Sequence, residues 1–339
     1  MRRTAKNDLA GLGEFGFIAR MARPFLKGLP SETWGIGDDC AVLPWNKRER
    51  LLVTTDMLIE DRHFIRKQVT AADLGYKALA VNLSDIAAMG GSPKWALLSI
   101  GIPAEIGLDW LDGFFRGWRE ASKPSGVRLV GGDTTKSPGG IIINVVVIGS
   151  VRAGREKLRS TARVGDVVAV TGTLGDSGGG LKILLGGGAK NQDEARLVRT
   201  HHRPRPHLEE GEWLALRPDV RAMMDVSDGI DSDLRRIMEQ SDVGADIDLD
   251  KLLISPELGR VALSRGFDAV ETAATGGEDY CLLVTVAPEN FDKNSAAFER
   301  RFGRPLTAIG TIRPKSAGLR YFRRGRRTIL RSRGFDHFK

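Results

Sequence analysis

Aspartates stand in unusual places along this chain, beside glycines or at the ends of apolar segments. The segments that carry them are Gly35-Ile-Gly-Asp-Asp39, Thr54-Thr-Asp56, Asn82-Leu-Ser-Asp85, Gly131-Gly-Asp133 and Asp225-Val-Ser-Asp228. A carboxylate among apolar neighbours is costly unless it is paired or bound to a metal ion. Because these acids come with hydroxyls and amides rather than with His or Cys, they suit the hard cation Mg²⁺.

Each aspartate also has an ordinary explanation when it is taken alone. Asp228 could be a helix N-cap, Asp133 a turn former, and Asp56 a solvated acid at a strand end. Taken together, the acids would hold several Mg²⁺ ions that neutralise a polyphosphate, and the adjacent glycines would offer backbone N–H groups to phosphate oxygens. The pattern therefore predicts a nucleotide-dependent phosphotransferase. The sequence contains no Gly-Lys dipeptide, which excludes a Walker A loop.

Three other motifs are interpreted as structural. Gly11-Leu-Gly-Glu-Phe-Gly16 matches a dinucleotide-binding pattern, but no strand precedes it and we expect a helix start. Gly175-Asp-Ser-Gly-Gly179 matches serine-nucleophile motifs, but Ser177 has no triad in a suitable order, so we expect a close-approach loop before a helix. In His201-His-Arg-Pro-Arg-Pro-His207 two prolines favour an extended loop over a zinc site.

Short β-branched segments alternate with helical ones, which predicts a mixed α/β fold. The predicted strands are Leu51–Thr55, Trp95–Ile102, Arg128–Val130, Ile141–Val151, Val167–Thr171, Ala245–Leu249, Tyr280–Val286 and Leu306–Ile312. The predicted helices are Ala71–Met89, Leu108–Ser122, Gly178–Leu185, Leu208–Leu216, Ile230–Gln240 and Glu289–Phe302. Thr70 is the predicted N-cap of the first of these helices, with Asp73 three residues later, and Gly90 ends it.

The length of 339 residues predicts two domains, and a polar loop places their boundary near residue 155. We therefore expect an N-terminal domain over 1–155 and a C-terminal domain over 156–339. Hydrophobic residues make up 41% of the chain, which argues against a disordered protein. The two cysteines, Cys40 and Cys281, are too few for a disulfide scaffold or a cysteine-based zinc site.

The net charge of +8 comes from one end of the chain. Residues 313–339 hold ten basic residues and one acid, and the other 312 residues hold 41 basic and 42 acidic ones. We expect a solvated strand pair here, Leu319–Phe322 and Thr328–Leu330, and the alternative is a contact surface for phosphate or RNA. Met1–Ala10 lacks an apolar core and no uncharged apolar segment reaches the ~18 residues of a membrane helix, so we expect a cytoplasmic protein.

Seven motifs, spread in order over almost the whole chain, carry a resemblance to a known family. They are Gly35–Cys40, Thr54–Asp56, Lys77–Gly90, Gly131–Thr135, Asp225–Gly229, Gly276–Tyr280 and Gly334–Phe338. Together they resemble the thiamine-monophosphate kinases, a branch of the superfamily that includes aminoimidazole ribonucleotide synthetase and selenophosphate synthetase. The aspartates are shared across the superfamily, whereas His63, the Lys77–Gly90 segment and the C-terminal motif are more particular to the kinases.

The resemblance implies a two-domain fold whose N-terminal sheets pair across a homodimer, with ATP bound near that interface. It implies phosphorylation of thiamine phosphate to thiamine diphosphate, the last step of thiamine diphosphate biosynthesis, by in-line attack on the γ-phosphate of ATP. No separate general base is needed, because the attacking phosphate oxygen is already anionic at neutral pH. Catalysis would rest on positioning and on Mg²⁺ charge.

The resemblance also implies roles for individual residues. The implied Mg²⁺ ligands are Asp39, Thr54, Thr55, Asp56, Asp85, Asp133, Asp225 and Asp228. The implied ATP contacts are Gly132, Asp133, Arg159 and Ser227, and the implied substrate contacts are His63, Glu278 and Phe335. In one departure, Ser332 occupies a position where the family often has a tryptophan that stacks on thiamine, so stacking would fall to Phe335 or another aromatic residue.

Two alternatives remain beside the kinase. A selenophosphate synthetase would need a reactive Cys in an N-terminal glycine-rich loop, and Gly11–Gly16 contains none. An ATP-binding module without activity, with its basic tail on RNA, would have no reason to retain six carboxylates. We therefore expect ATP and thiamine phosphate as ligands, with neither a membrane nor a nucleic acid as partner.

Overall fold

Two mixed β-sheets organise the chain in the computed structural model, which describes residues 9–332 and Gly334. The strands of the first sheet are β1 Ala41–Pro44, β2 Glu49–Ile59, β3 Ser92–Ile102, β4 Arg128–Lys136 and β5 Ile142–Arg152. Their order is β1-β2-β5-β3-β4, and only β3 and β4 run parallel.

The second sheet contains the seven later strands. They are β6 Val167–Val170, β7 Val220–Asp225, β8 Val243–Asp248, β9 Leu282–Val286, β10 Thr307–Pro314, β11 Leu319–Arg323 and β12 Arg326–Thr328. Their order is β12-β11-β8-β10-β6-β9-β7, with β8 and β11 parallel. The two sheets confirm the mixed α/β class expected from the alternating sequence pattern.

Ten α-helices flank the sheets in the described residues. They are α1 Leu9–Phe25, α2 Ala71–Ala88, α3 Leu108–Ser125, α4 Asp176–Leu185, α5 Gln192–His202, α6 Leu208–Ala215, α7 Ile230–Ser241, α8 Pro256–Arg265, α9 Ala269–Thr275 and α10 Phe291–Phe302. Across this described part of the chain, none of the helices is both long and apolar enough to cross a membrane.

Helix α2 is the central helix of the N-terminal half. As the sequence predicts, Thr70 caps it: the Oγ1 of Thr70 accepts the N–H of Asp73 at 3.0 Å. Its apolar side packs on the first sheet, it contacts α6 and β7 as well, and its most extensive helix contact is with α3. That contact is very close, because a Cβ on Gly75 would lie 1.9 Å from the carbonyl oxygen of Phe114. Glycine is therefore required at the crossing of α2 and α3.

Several elements differ from the sequence prediction. His201 and His202 were expected in an extended loop, but they form the last turn of α5, because the prolines that would stop a helix come only at Pro204 and beyond. Strand β4 does not end at the glycines that follow Val130; it continues through them to Lys136. The last strand lies at Arg326–Thr328 rather than Thr328–Leu330. By contrast, Gly11–Gly16 lies in the first turns of α1, which agrees with the expected helix start, and Gly13 (φ +69°) interrupts the helix there.

The sequence prediction also missed α5, α8, α9 and β7. Helices α5 and α8 carry few apolar residues, and α9 has only seven residues, so little in their local sequence marks them as helices. Strand β7 reads Val-Arg-Ala-Met-Met-Asp, which has one β-branched residue and no alternation. Its burial comes from packing in the middle of the molecule, which the local pattern does not encode.

Among residues 9–332, no other element covers one face and one edge of the first sheet. Every residue of β4, its edge strand, is exposed, including Leu129 at 41% and Val130 at 59%. On the face opposite α2, Met57 of β2 is 51% exposed. Apolar side chains of this kind on an open strand edge are typical of a surface that another sheet covers.

The basic C-terminal segment forms the expected strand pair, since β11 and β12 are antiparallel neighbours. Four of its eight described cations form ion pairs with acids of the same domain. Asp246 of β8 accepts ion pairs from Arg313 at 2.8 Å and from Arg320 at 2.6 Å, and Arg323 pairs with Asp268. This intramolecular pairing favours the structural interpretation of the segment over an RNA-binding one.

Candidate active site

Three carboxylates from three separate segments converge between the two sheets. Asp39 precedes β1, Asp85 lies near the end of α2, and Asp225 is the last residue of β7. One oxygen from each carboxylate lies within 4.8 Å of the other two. Oxygen donors at this spacing fit a hard divalent cation, so the residues present are suited to Mg²⁺.

Neighbouring polar side chains on β2 and α2 orient these acids. Thr54 donates its hydroxyl to Asp85 at 2.5 Å, and Ser84 donates to Asp225 at 2.6 Å. The amide oxygen of Asn82 accepts the backbone N–H of Asp56 at 3.1 Å. The polar residues Asn82, Ser84 and Asp85, which interrupt the apolar sequence of α2, therefore belong to the acidic cluster or orient its members.

Burial and mutual repulsion raise the pKa values of three carboxyls in this cluster. Burial, followed by the charge of Asp39, raises the pKa of Asp56 to about 6. Burial and the neighbouring carboxylates raise the pKa of Asp85 well above its ordinary value, and burial and Asp39 do the same for Asp225. A cluster that repels its own charges in this way gains stability when a cation binds.

A second pair of acids extends the cluster along α7. Asp233 is 2% exposed and its Oδ2 accepts the backbone N–H of Asp228 at 3.2 Å. Burial, and then the charges of Asp228 and Asp225, raise the pKa of Asp233 well above its ordinary value. Asp228 was predicted from its motif but Asp233 was not, because an acid in the first turn of a helix has an ordinary explanation in the helix dipole.

Arg159 supplies the positive charge that faces the cluster. Its guanidinium contacts both oxygens of Asp39, at 2.6 and 3.3 Å, and its backbone N–H donates to Asp38 at 2.7 Å. Burial opposes the charge on Arg159, but Asp39 and Asp38 together hold its pKa above the ordinary value. An arginine placed beside a cation site in this way is suited to contact an anionic ligand of that cation.

Two of the predicted metal ligands lie apart from the three converging carboxylates. The side chain of Thr55 points to the opposite face of β2 from Thr54, where its Oγ1 accepts the amide of Asn144 at 2.8 Å. Asp133 lies on the exposed strand β4, next to Gly132. Gly132 has φ +152°, and a Cβ there would lie 1.8 Å from the carbonyl oxygen of Leu98, so only glycine fits this position.

The predicted substrate contact Glu278 lies nearer the N-terminal end of α2 than the acidic cluster does, beside Lys77. The carboxylate of Glu278 is 2.8 Å from the ammonium of Lys77, and its backbone N–H donates to the carbonyl of Ser227 at 2.7 Å. Burial raises the pKa of Glu278, but Lys77, His201 and His63 together hold it below the ordinary value. His63 itself follows β2, where its Nδ1 accepts the backbone N–H of Ile59 at 3.0 Å. Phe335 lies outside the described residues.

Ser332, where the family often has a tryptophan, has a defined role in this chain. Its backbone N–H and its hydroxyl both donate to Oε1 of Glu271, at 2.7 and 3.0 Å. The N–H of Arg331 donates to the same oxygen at 2.6 Å. These bonds attach the C-terminal segment to α9 at the edge of the site.

Comparison with known proteins identifies the class first. Family models for AIR synthase related proteins match the chain twice, the N-terminal domain at residues 37–151 and the C-terminal domain at residues 163–320. The chain is therefore a member of the AIR synthase related class, with an acidic cluster between its two domains.

Closer relatives define the family within that class. The thiamine-monophosphate kinase of Escherichia coli (strain K12) is 39% identical over 96% of this chain and 98% of its own length. The structure of the thiamine-monophosphate kinase from Stenotrophomonas maltophilia K279a is 36% identical and covers 94% of this chain and 98% of its own, with a TM-score of 0.75. AaThiL complexed with AMPPCP and TMP has a TM-score of 0.83 at 32% identity, with 99% of each chain covered. The chain belongs to the thiamine-monophosphate kinase family, which decides against the selenophosphate synthetase alternative.

Proposed function

We propose that this protein phosphorylates thiamine phosphate to thiamine diphosphate with ATP as the phosphoryl donor. The observation that carries the proposal is the convergence of Asp39, Asp85 and Asp225 from both domains onto one oxygen-only site. Family membership supports the choice of substrate, and so does the binding of AMPPCP and TMP by the relative AaThiL.

The cation for this site is Mg²⁺, held by Asp39, Asp85 and Asp225 with Asp56 beside them. When bound, Mg²⁺ would offset the negative charge of the phosphates that meet during transfer. Thr54 and Ser84 hold the carboxylates in orientation. In our proposal the remaining members of the predicted set, Asp133, Asp228 and Thr55, bind further Mg²⁺ ions that accompany ATP.

Nucleotide and substrate lie on either side of the acidic cluster in this proposal. Arg159 and Ser227 contact the nucleotide phosphates, and Gly132 brings the backbone of β4 close to the nucleotide. Glu278 and His63 hold the organic part of thiamine phosphate, with Phe335 as a further contact. The substrate phosphate attacks directly, because its oxygen is already anionic and needs no general base.

We further propose that the protein is a cytoplasmic homodimer in which residues 1–155 provide the dimer contact and most acids, and residues 156–339 complete the site. The exposed edge and face of the first sheet support the dimer. Leu129, Val130 and Met57 would be covered if two such sheets met.

The test of the activity is identification of the product. The protein is incubated with ATP, MgCl₂ and thiamine phosphate, and the products are separated by ion-pairing chromatography. The proposal predicts thiamine diphosphate and ADP in equal amounts. ADP without thiamine diphosphate, or neither product from folded protein that binds ATP, would contradict it.

A further inference from the structure

A buried lysine links the two domains through the predicted substrate-binding acid. Lys77 lies in the middle of α2, is 2% exposed, and has its ammonium 2.8 Å from Oε2 of Glu278. Burying an ammonium is costly, and its neighbours along this helix are mostly Ala, Leu and Val. Among the described residues, the ion pair with Glu278 offsets the cost of burying the Lys77 ammonium. Lys77 is therefore expected to act through the Glu278 carboxylate.

A histidine that the sequence analysis assigned to a loop holds the same oxygen. The Nδ1 of His201 is 3.1 Å from Oε2 of Glu278 and 3.0 Å from the hydroxyl of Ser177. Burial and the charge of Lys77 lower the pKa of His201 to about 3, so its ring is neutral at pH 7. A neutral imidazole can donate to Glu278 only in the tautomer that carries its proton on Nδ1.

The loop that carries Glu278 is fixed from the other side by the serine motif. The backbone N–H groups of Gly175 and Ser177 donate to the carboxylate of Asp279, at 2.6 and 3.3 Å. Glu278 itself has φ +62°, a left-handed conformation that non-glycine residues adopt only when their surroundings impose it. The Gly175–Gly179 motif is thus an anchor for this loop.

Helix α2 also connects this carboxylate to the acidic cluster. Ser84, which donates to Asp225 at 2.6 Å, follows Lys77 by seven residues. Seven residues of α-helix span about 10 Å along the axis. Helix α2 therefore fixes the separation between Glu278, which would bind the organic part of the substrate, and Asp225, which belongs to the cluster near the reacting phosphate.

We propose that Lys77, His201 and Ser177 are positioning residues that hold the Glu278 carboxylate charged and in one orientation. Lys77 and His201 bind Oε2, which leaves Oε1 to accept an N–H donor or a cationic group of the substrate, at the end away from its phosphate. This inference rests on the proposed function. It adds residues that act through Glu278 and set where along α2 the substrate lies.

The test is a double-mutant cycle in steady-state kinetics of the full-length protein. The variants are Lys77→Met, Glu278→Gln and the two combined, with thiamine phosphate and ATP varied in turn. Lys77→Met is expected to raise KM for thiamine phosphate about tenfold or more and to leave KM for ATP within about twofold. The combined variant is expected to match Glu278→Gln alone, because Lys77 acts through that carboxylate.

Lys157 provides a matched control, because it is another buried lysine, in the segment between the two domains. It is 7% exposed and its ammonium donates to the carbonyls of Arg217 and Val220. Lys157→Met is expected to lower the unfolding temperature and to leave KM for thiamine phosphate unchanged. His201→Leu is expected to raise that KM, and His201→Asn, which keeps an N–H donor, to restore most of it.

The outcomes separate this inference from the proposed function. If the wild-type protein does not turn over thiamine phosphate, both are contradicted. If the wild type is active and folded Lys77→Met keeps its KM, or if its effect multiplies with that of Glu278→Gln, only the positioning role is wrong. If Lys77→Met does not fold, the two His201 variants decide. Equal KM values for thiamine phosphate in His201→Leu and His201→Asn would overturn the inference, and a higher KM in His201→Leu would support it.

Discussion

The raised pKa of Asp56 makes a quantitative prediction about the metal-free protein. Burial and Asp39 raise this pKa from 3.8 to about 6. The folded state therefore holds the proton more tightly than the unfolded chain, and ionising Asp56 destabilises the fold. Stability is lost as pH rises from about 4 to about 6, and the full loss is about 3 kcal/mol at about 1.4 kcal/mol per pKa unit.

About 1 kcal/mol of that loss is complete at pH 4.5, so about 2 kcal/mol remains between pH 4.5 and pH 7.5. Asp56→Asn cannot ionise at this position and should lack that part of the pH dependence. The measurement is the free energy of unfolding by urea in EDTA at both pH values, for the wild type, for Asp56→Asn and for Asp112→Asn, an exposed acid of α3. Asp112→Asn should follow the wild type.

The comparison is then repeated with Mg²⁺ in place of EDTA. Binding to the folded state should return stability to the wild type at pH 7.5, and Asp56→Asn should gain less. The reasoning would be refuted if the wild type and Asp56→Asn lost the same free energy between the two pH values in EDTA. It would also be refuted if the wild type gained stability relative to the variant as pH rose.

Three further substitutions test other parts of the account. Asp133→Asn should lower Mg²⁺-dependent turnover at least ~100-fold. Because Asp133 is exposed on β4, the same substitution should change the free energy of unfolding by less than about 0.5 kcal/mol. Near-normal turnover would remove Asp133 from the metal-binding set. Gly132→Ala should destabilise the protein by about 2 kcal/mol or more in urea denaturation, because the new Cβ would lie 1.8 Å from the carbonyl oxygen of Leu98. Gly139→Ala is the control and should not destabilise the protein, because a Cβ at Gly139 would have no atom within 4 Å. Val130→Asp should convert the proposed dimer to a monomer, as measured by sedimentation velocity. Leu263→Asp is the control: Leu263 is 87% exposed on α8, and its substitution should leave the protein a dimer. A monomeric wild type would contradict the proposed dimer.

The sequence predicted the elements that have strong local signals. Helix α2 was predicted within one residue, because Thr70 and Gly90 mark both its ends. The mutual approach of Asp39, Asp85 and Asp225 could not be measured from the sequence, since it depends on how β7 packs between the domains.

The contacts of His201 and Ser177 around Glu278 could not be predicted from the sequence for a related reason. The motif that contains His201 was predicted to be a loop, and the motif that contains Ser177 was interpreted as structural because it only matches the pattern of a serine nucleophile. Their contact with one carboxylate arises only when α4, α5 and the Gly276–Tyr280 loop meet in space. Asp233 was missed because its burial is a property of the folded cluster, not of the first turn of α7.

The most direct test of the central claim is the rate of thiamine diphosphate formation as a function of free Mg²⁺ at saturating ATP. The account predicts no turnover in EDTA and a rate that saturates with Mg²⁺ in the wild type. In Asp225→Asn, which removes one of the three converging carboxylates, the Mg²⁺ concentration for half-maximal rate should rise about tenfold or more. Full turnover in EDTA, or the same Mg²⁺ dependence in both proteins, would contradict a phosphoryl transfer that depends on this acidic site.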